Sequence, residues 1–485
     1  MRSHTARLKS LLKIVTILIS ASGCLLSMPA AAQNQYATNS GYGNYYRPFA
    51  ANSPWNIRPV NPVLDTYQIK KPLFNPGWIP AVDDGEFSLG VFMAKKGDPT
   101  VTVYGKPGTA GVTDPDTGKL RNIVIPRWPA NVVPAAGGDG HADIVDTESG
   151  ILHSFYQLKF TGGKWTARMY SWSRIDGRGW GNASHWSQGS RAAGVPASGG
   201  LIRLHELDDG LTYYRHALSM SLPAHTLANG ITHPAYVYPA TSTDSYAISN
   251  TGAMPMGARL MLPASFNVAA LSSERLRKIA NTLKMYGAFV VDSNYDTAYR
   301  IYVENGNNFS LMPGGWDAKI VADLELIRAG LRRVTGAQSW IDGNGKTTVD
   351  AEPPGTLSMR GVWKTVQTLK EAPGQFDSWQ QAVSFPYTTN KVSQINYANA
   401  LSQVAWAKAK AGQRMRFTSE ATGGATMRLQ LVVSGKITFD SGYLRHGQFV
   451  NFSWPNATPD KVAVTLLSDS GVYTTSTARG VLTED

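Results

Sequence analysis

From residue 34 to about residue 265 the chain sustains no apolar period of 3.6; its apolar residues alternate with polar ones in short runs broken by glycine and proline. Alternation at period two sends every second side chain to one face of a strand, and frequent turns keep those strands short. The chain, with 47 glycines and 27 prolines, is therefore predicted to be mainly β, its larger part (33–348) a β-sandwich or jelly-roll-like body. Two stretches depart from this pattern. "SSERLRKIANTLKMYGAF" carries Leu276, Ile279, Leu283 and Tyr286 at helical spacing behind a Ser272 or Ser273 cap, and it stops at Gly287. "DAKIVADLELIRAGLRRVTG" runs to Gly336. Helices near 273–286 and 317–335, packed as struts on a sheet, are expected.

The first residues place Arg2, Arg7, Lys9 and Lys13 before an apolar run that ends in Ala30-Ala31-Ala32. That order reads as a secretory signal peptide (1–32), which makes the mature protein secreted or periplasmic. The one cysteine, Cys24, lies inside it behind Ser22 and Gly23; a lipoprotein reading is weakened by Ala21 where leucine is usual. Disulfides are thereby excluded from the mature chain, and no later run is long and apolar enough for a membrane span. Losing four cations takes the formal net charge from +12 to +8. A basic exported surface suits an anionic partner such as an acidic polysaccharide, although solubility alone accounts for it equally well. Nothing resembles a helix-turn-helix, zinc-finger or RNA-binding signature, so nucleic acid is not the expected partner.

The mature length exceeds what one core holds, so two domains are expected, divided at the proline-containing linker "VDAEPPGT" (349–356). Beyond it Met427, Leu429, Leu431 and Val433 alternate with Arg428, Gln430 and Val432. Runs of this kind separated by glycine turns predict a smaller C-terminal β-sandwich (357–485). In exported enzymes an appended sandwich often binds carbohydrate; a plain packing module would read the same.

Seven of the nine histidines fall between residues 141 and 233. His225 and His233 sit in expected loops, whereas His141, His153, His205 and His216 lie on apparent strands. "HADIVD" and "ILHSFYQL" read as a hairpin. A four-residue loop sets Asp146 opposite Ile151, Asp143 opposite Ser154 and His141 opposite Tyr156; a five-residue loop sets Asp143 opposite His153 instead. Either register puts His141 and Asp143 on one face, and leaves Asp146 and Glu148 solvated at the turn. "GGLIRLHEL" puts Arg203 and His205 on one strand face, and "GLTYYRHALSMSLP" offers His216. The catalytic candidates are His141, Asp143, Tyr156, Arg203 and His216.

Between them "KWTARMYSWSRIDGRGWGNASHW" supplies Trp165, Trp172, Trp180 and Trp186 with Arg168, Arg174, Asp176 and Arg178. Indoles stack on sugar rings and arginines pair with carboxylates, so Trp165, Trp172, Trp180 and Arg174, with His153 and His205, form the candidate substrate-binding set. Core packing accounts for about half of such tryptophans, since rings this large are usually mostly buried. No metal is expected: "DGNGKTTVDAE" starts like a calcium loop but has Thr347 where glycine is required. No cofactor motif is present, and there is no P-loop, Gly-x-Ser-x-Gly or His-Glu-x-x-His.

An ordered set of motifs covers the first two-thirds of the chain: "SPWN" (53–56), "DGHADIVD" (139–146), "AAGVPASGGLIRLHEL" (192–207), "HALSMSLP" (216–223), "YPA" (238–240), "MGARLMLP" (256–263) and "LKMYGAFVVD" (283–292). In these the chain resembles a broad group of exported, mainly bacterial proteins to which no activity is attached. The resemblance implies that His141, Arg203 and His216 lie in shared signatures. It assigns them no role and does not reach the C-terminal part.

The residue set matches a carbohydrate-active enzyme. In β-elimination on a uronate-containing polysaccharide, Arg203 would neutralise the carboxylate, His141 or His216 would take the C5 proton, and Tyr156 would donate to the leaving oxygen. A glycoside hydrolase needs two carboxyl groups instead; Asp143, Asp176 and Glu206 are available, none marked as a pair. A non-catalytic polysaccharide-binding envelope protein is the third expectation.

Overall fold

The computed structural model describes residues 41–485 apart from 72–78, 116–118, 296, 307–308, 352–356 and 397–403. The expected signal peptide (1–32) lies outside the described residues, as does 352–356 of the expected linker. The architecture is mainly β. A mixed eight-stranded sheet runs in the order Arg58–Leu64, Arg332–Ile341, Arg259–Met261, Ala288–Asn294, Leu218–Pro223, Arg300–Tyr302 and Ala81–Asp83, with Thr347–Thr348 added to Arg332–Ile341. Helices α1 (Glu274–Met285) and α2 (Ala318–Gly330) lay Leu276, Ile279, Leu283, Ile320, Leu324 and Ile327 into one core with the sheet's Leu218, Met220, Leu260 and Val290. Ser273 and Asp317 cap them, each accepting from first-turn amides.

Helix α2 ends at Gly330, one and a half turns before the expected stop at Gly336. Leu331 is already extended, and Arg332–Ile341 forms a ten-residue strand against Arg58–Leu64. The sequence there holds β-branched Val334, Thr335 and Ile341, and a full ladder of backbone bonds outweighs a helical turn exposed to solvent.

A six-stranded sheet carries the opening of the site: Gly90–Ala94, Ala142–Asp146, Ile151–Tyr156, Met169–Arg174, Val112–Asp114 and Lys119–Arg121. A four-stranded sheet (Lys159–Thr161, Lys164–Ala167, Val101–Gly105, Ile123–Ile125) shares its core, with Ile144, Phe155 and Tyr170 from one sheet and Val103, Ile123 and Ile125 from the other. The hairpin has the four-residue register, with Asp146 opposite Ile151 and Asp143 opposite Ser154.

From residue 364 onward the strands form two five-stranded sheets of their own, a C-terminal β-sandwich. Met427, Leu429 and Leu431 are fully buried and meet Met415, Phe417 and Ala478 of the facing sheet, so the alternation in the sequence is the inside-outside alternation of the strand. The sandwich touches the rest of the chain through aromatic rings. Trp379 stacks on Trp172 with centroids 5.3 Å apart and planes at 15°. The Trp406 indole donates to the Ala240 carbonyl at 2.6 Å, and Arg360 lies over the Trp186 ring at 5.0 Å.

Three other expectations change. Arg203 and His205 are not on a strand: Arg203 caps a single 3₁₀ turn, Leu204–Glu206, because side-chain carboxylates take the amides a ladder would need. Glu206 accepts from the Arg203 amide and Glu304 from the Leu204 amide, both at 3.0 Å. His216 precedes the strand Leu218–Pro223 and lies in a bend. Asp146 is not solvated either. It is fully buried and grips Arg127 through Nε and Nη2 at 2.8 Å each, while also accepting from the Glu148 and Ser149 amides. Burial opposes its charge, but these bonds hold the carboxyl below its ordinary value. Asp146→Ala should cost about 1.5–3 kcal/mol, the worth of hydrogen bonds to a charged group. Urea unfolding at pH 7 measures this.

Candidate functional site

The two large sheets of the N-terminal part diverge around a cleft of about 730 Å³. One wall is the end of the six-stranded sheet, with His141, Tyr156 and Arg168; the other is the eight-stranded sheet, with Asp292, Arg300 and Tyr302. A β-bulge shapes the second wall: Met220 pairs with Val290 but Ser221 with Asp292, leaving Val291 as the extra residue. Its carbonyl accepts from the Ala193 amide at 3.0 Å, which ties the loop 186–200 to the bulge.

That loop is the floor. Gln188 donates to the Gly194 carbonyl (2.9 Å) and Arg191 to that of Val195 (3.1 Å), folding the chain back so tightly that a Cβ on Gly189 would sit 1.9 Å from backbone atoms of Val195 and Pro196. Only glycine fits there. The fold presents Ser190 and Arg191 to the cleft.

His141, 1% exposed, places Nδ1 3.0 Å from Ser190 Oγ, with the Phe155 carbonyl as a further hydrogen-bond partner. Burial, then the charge of Arg191, pushes its pKa well down, so the ring is neutral. Ser190 Oγ is 3.0 Å from Ser154 Oγ, which is 2.6 Å from Asp143 Oδ1; Asp143 Oδ2 accepts from the Ser198 amide at 2.7 Å. Asp143 is wholly buried behind the cleft, and burial raises its pKa. The rings of His141 and Tyr156 lie 5.6 Å apart, and Tyr156 is hydrogen-bonded to Asp139.

Asp139, Asp244 and Asp292 face one another across this space. Arg191 Nη1 contacts Asp292 Oδ2 at 3.0 Å, yet burial together with the charges of Asp244 and Asp139 pushes Asp292 up to about 7. Asp244 is raised as well, by burial and by Asp139. At the rim Tyr246 and Tyr295 are 55% and 70% exposed. Arg168, exposed and lining the same cleft, has no carboxylate partner among the described residues.

Arg203 and His216 do not join His141. They line a separate cavity of about 30 Å³, with His205 and Glu206. Arg203 Nε donates to Glu304 Oε2 at 2.7 Å, a buried ion pair, and Nη1 to the Tyr45 carbonyl at 3.0 Å. The His216 ring contacts Glu206 Oε2 at 3.1 Å and the Ala217 carbonyl at 2.9 Å. Thus the carboxylate clamp and alternative base expected beside His141 are committed elsewhere, each to an acid of its own.

The expected substrate-binding residues lie away from the wide cleft too. Trp180 is 1% exposed and stacks on Trp55 in the core. Trp172 is covered by Trp379 and packs on His185 at 4.5 Å. Trp165 wedges between Trp128 and Phe160. Arg174 makes a two-point pair with Asp176 at the surface. His153 is buried against the Tyr170 hydroxyl at 2.8 Å, and His205 contacts the Tyr46 carbonyl at 3.2 Å. Of the carboxylates weighed for hydrolysis, Asp143, Asp176 and Glu206 are all engaged. The cleft instead holds Asp139, Asp244 and Asp292, which are not among the sequence candidates. Asp139 opens the motif "DGHADIVD" and Asp292 closes the apolar run "AFVV", whereas Asp244 carries no such signal.

The Glu206–His216 pair has a pH signature. Burial disfavours the charged ring, but Glu206 outweighs it and raises His216 above the ordinary 6.5; Glu206 is pushed down to about 2 despite burial. The histidine's contribution is full below pH 6.5 and lost as pH rises through its raised value. The glutamate's is full above pH 4.5 and lost as pH falls toward 2. Replacing His216 with Gln should therefore destabilise the fold most between pH 4.5 and 6.5 and progressively less above. Urea midpoints at pH 5.5 and 9 give the comparison.

No protein-family model matches the chain, and no curated protein does. Parts of it overlay on solved structures. One is the module TmCBM61 in complex with β-1,4-galactotriose: 17% identity, 21% of this chain and 70% of that one, TM-score 0.15. Another is the N-terminal cellulose-binding domain of β-1,4-glucanase C from Cellulomonas fimi: 15% identity, 28% and 98%, TM-score 0.17. A third is the CBM36-1 domain of a multidomain xylanase from the hindgut metagenome of Trinervitermes trinervoides: 10% identity, 25% and 83%, TM-score 0.11. At such scores the overlays carry nothing about what this chain binds.

Proposed function

We propose that this protein hydrolyses glycosidic bonds of a polysaccharide lying in the wide cleft. The observation that carries this reading is the convergence of three carboxyl groups, Asp139, Asp244 and Asp292, in one open space. Glycoside hydrolysis asks one carboxyl to deliver a proton to the leaving oxygen and another, ionised, to act as base or nucleophile. Environments that push two carboxyls apart in pKa assign those roles. Asp292, up at about 7, holds a proton near neutral pH and is the acid; Asp139, beside Tyr156, is the partner. Tyr246 and Tyr295 at the rim offer faces for sugar rings. The acids Glu86, Asp139, Asp244 and Asp292 stand against Arg168, Arg191 and Arg300, so the cleft does not itself select the acidic polysaccharide that the net charge suggests.

Elimination is the second reading, and Arg168 is what favours it. With no carboxylate partner among the described residues, it can meet a uronate, beside Tyr156 as proton donor and His141 as base. Incubation with neutral and uronate-containing polysaccharides separates the two. New reducing ends without unsaturated-uronate absorbance indicate hydrolysis, that absorbance indicates elimination, and retention without cleavage leaves a binding protein. For hydrolysis the rate should fall as pH rises through about 7, where Asp292 loses its proton. Asp292→Asn should lower it about 100- to 10,000-fold, the usual cost of losing a proton-transfer group. Full activity in Asp292→Asn refutes the assignment.

A further inference from the structure

We propose that the same cleft carries a second activity, the hydrolysis of small acyl esters on sugar hydroxyls, with Ser190 as nucleophile and His141 as its base. Only the sugar half of the substrate rests on the preceding reading; none of the cleft's carboxylates takes part.

A serine becomes nucleophilic when a neutral base sits within hydrogen-bond reach and is itself held in place. Ser190 Oγ lies 3.0 Å from His141 Nδ1, the ring is held by the Phe155 carbonyl, and both residues line the cleft. Behind them Ser154 Oγ donates to Asp143 Oδ1 and is thereby fixed 3.0 Å from Ser190 Oγ. In the tautomer that leaves Nδ1 unprotonated, the ring accepts from the Ser190 hydroxyl. The Ser198 amide, donating to the other Asp143 oxygen, fixes the far end. Serine position is fixed as well. The turn in which only glycine fits at 189 holds Ser190 against the ring, and the Gly189 and Ser190 amides donate to no backbone acceptor among the described residues. Two such amides are what a developing oxyanion needs.

The steps balance without a cofactor. Ser190 Oγ attacks the ester carbonyl carbon while its proton passes to His141 Nδ1. The tetrahedral intermediate collapses, the C–O bond to the sugar breaks, and the sugar oxygen leaves with that proton. Water then attacks the acyl-serine as His141 takes its proton, the acyl–Oγ bond breaks, and the carboxylic acid departs with Ser190 restored. Because the His141 pKa lies well below 6.5, the base stays competent in mildly acidic solution.

The test uses a fluorophosphonate probe and p-nitrophenyl acetate on the intact protein. Fluorophosphonate should modify Ser190, identified by peptide mass, and Ser190→Ala should abolish labelling and reduce p-nitrophenyl acetate hydrolysis at least about 100-fold. A thermal midpoint unchanged from wild type excludes unfolding of that variant. His141→Gln should lose labelling too. Absence of labelling in the folded wild type, or labelling that persists in Ser190→Ala, overturns the proposal. A wild-type protein that cleaves polysaccharide but takes no label sinks this inference alone; one that is labelled at Ser190 but cleaves no polysaccharide sinks the preceding one alone.

Discussion

A guanidinium removed from water needs partners, and in this protein the partners of Arg191 organise the cleft. It is 3% exposed. Nη1 meets Asp292, Nη2 donates to the Phe87 carbonyl at 2.9 Å, and the group lies 4.0 Å over the Tyr302 ring. Those partners come from the eight-stranded sheet and from the segment before Gly90–Ala94, so one side chain from the floor loop spans both walls. Its charge also reaches the chemistry. It helps keep His141 neutral and takes back part of the rise that burial and two acids impose on Asp292. Removing one member of such a buried pair leaves the other uncompensated, which is why the site and the packing of the two sheets cannot be varied separately.

Local order was legible where it depends on neighbours in sequence. The hairpin register follows from a four-residue loop, and Asp143 does stand opposite Ser154. Helix α1 shows its cap and its apolar stripe, and the C-terminal alternation gave the buried face of the sandwich. The residues of "LRRVTG" are acceptable in a helix, so sequence alone extends α2 to Gly336; what ends it is a strand some 270 residues earlier in the chain, which no local pattern contains.

The site was legible only in part for the same reason. His141 and Tyr156 belong to one hairpin, and they do line the cleft together. Arg203 and His216 looked like strand residues, but the acids that claim them, Glu304 and Glu206, are brought in by tertiary contacts. Asp139, Ser190, Asp244 and Asp292 span 153 positions and converge through a loop that folds onto a bulge. Tryptophans at strand spacing gave no sign of whether a ring would meet solvent, another indole or a different sheet.

The stack of Trp379 on Trp172 has a consequence for how freely this sandwich could be exchanged in evolution. With Trp379 in place, Trp172, His153 and Tyr170 are closed off beneath an indole. A chain that lost residues 357–485 would bare that aromatic patch, an adhesive surface for misassembly. A replacement module would have to bring a flat ring to the same spot. The C-terminal sandwich is thus less a detachable accessory than a fitted cover, whose gain, loss or swapping demands a matching change on the N-terminal surface.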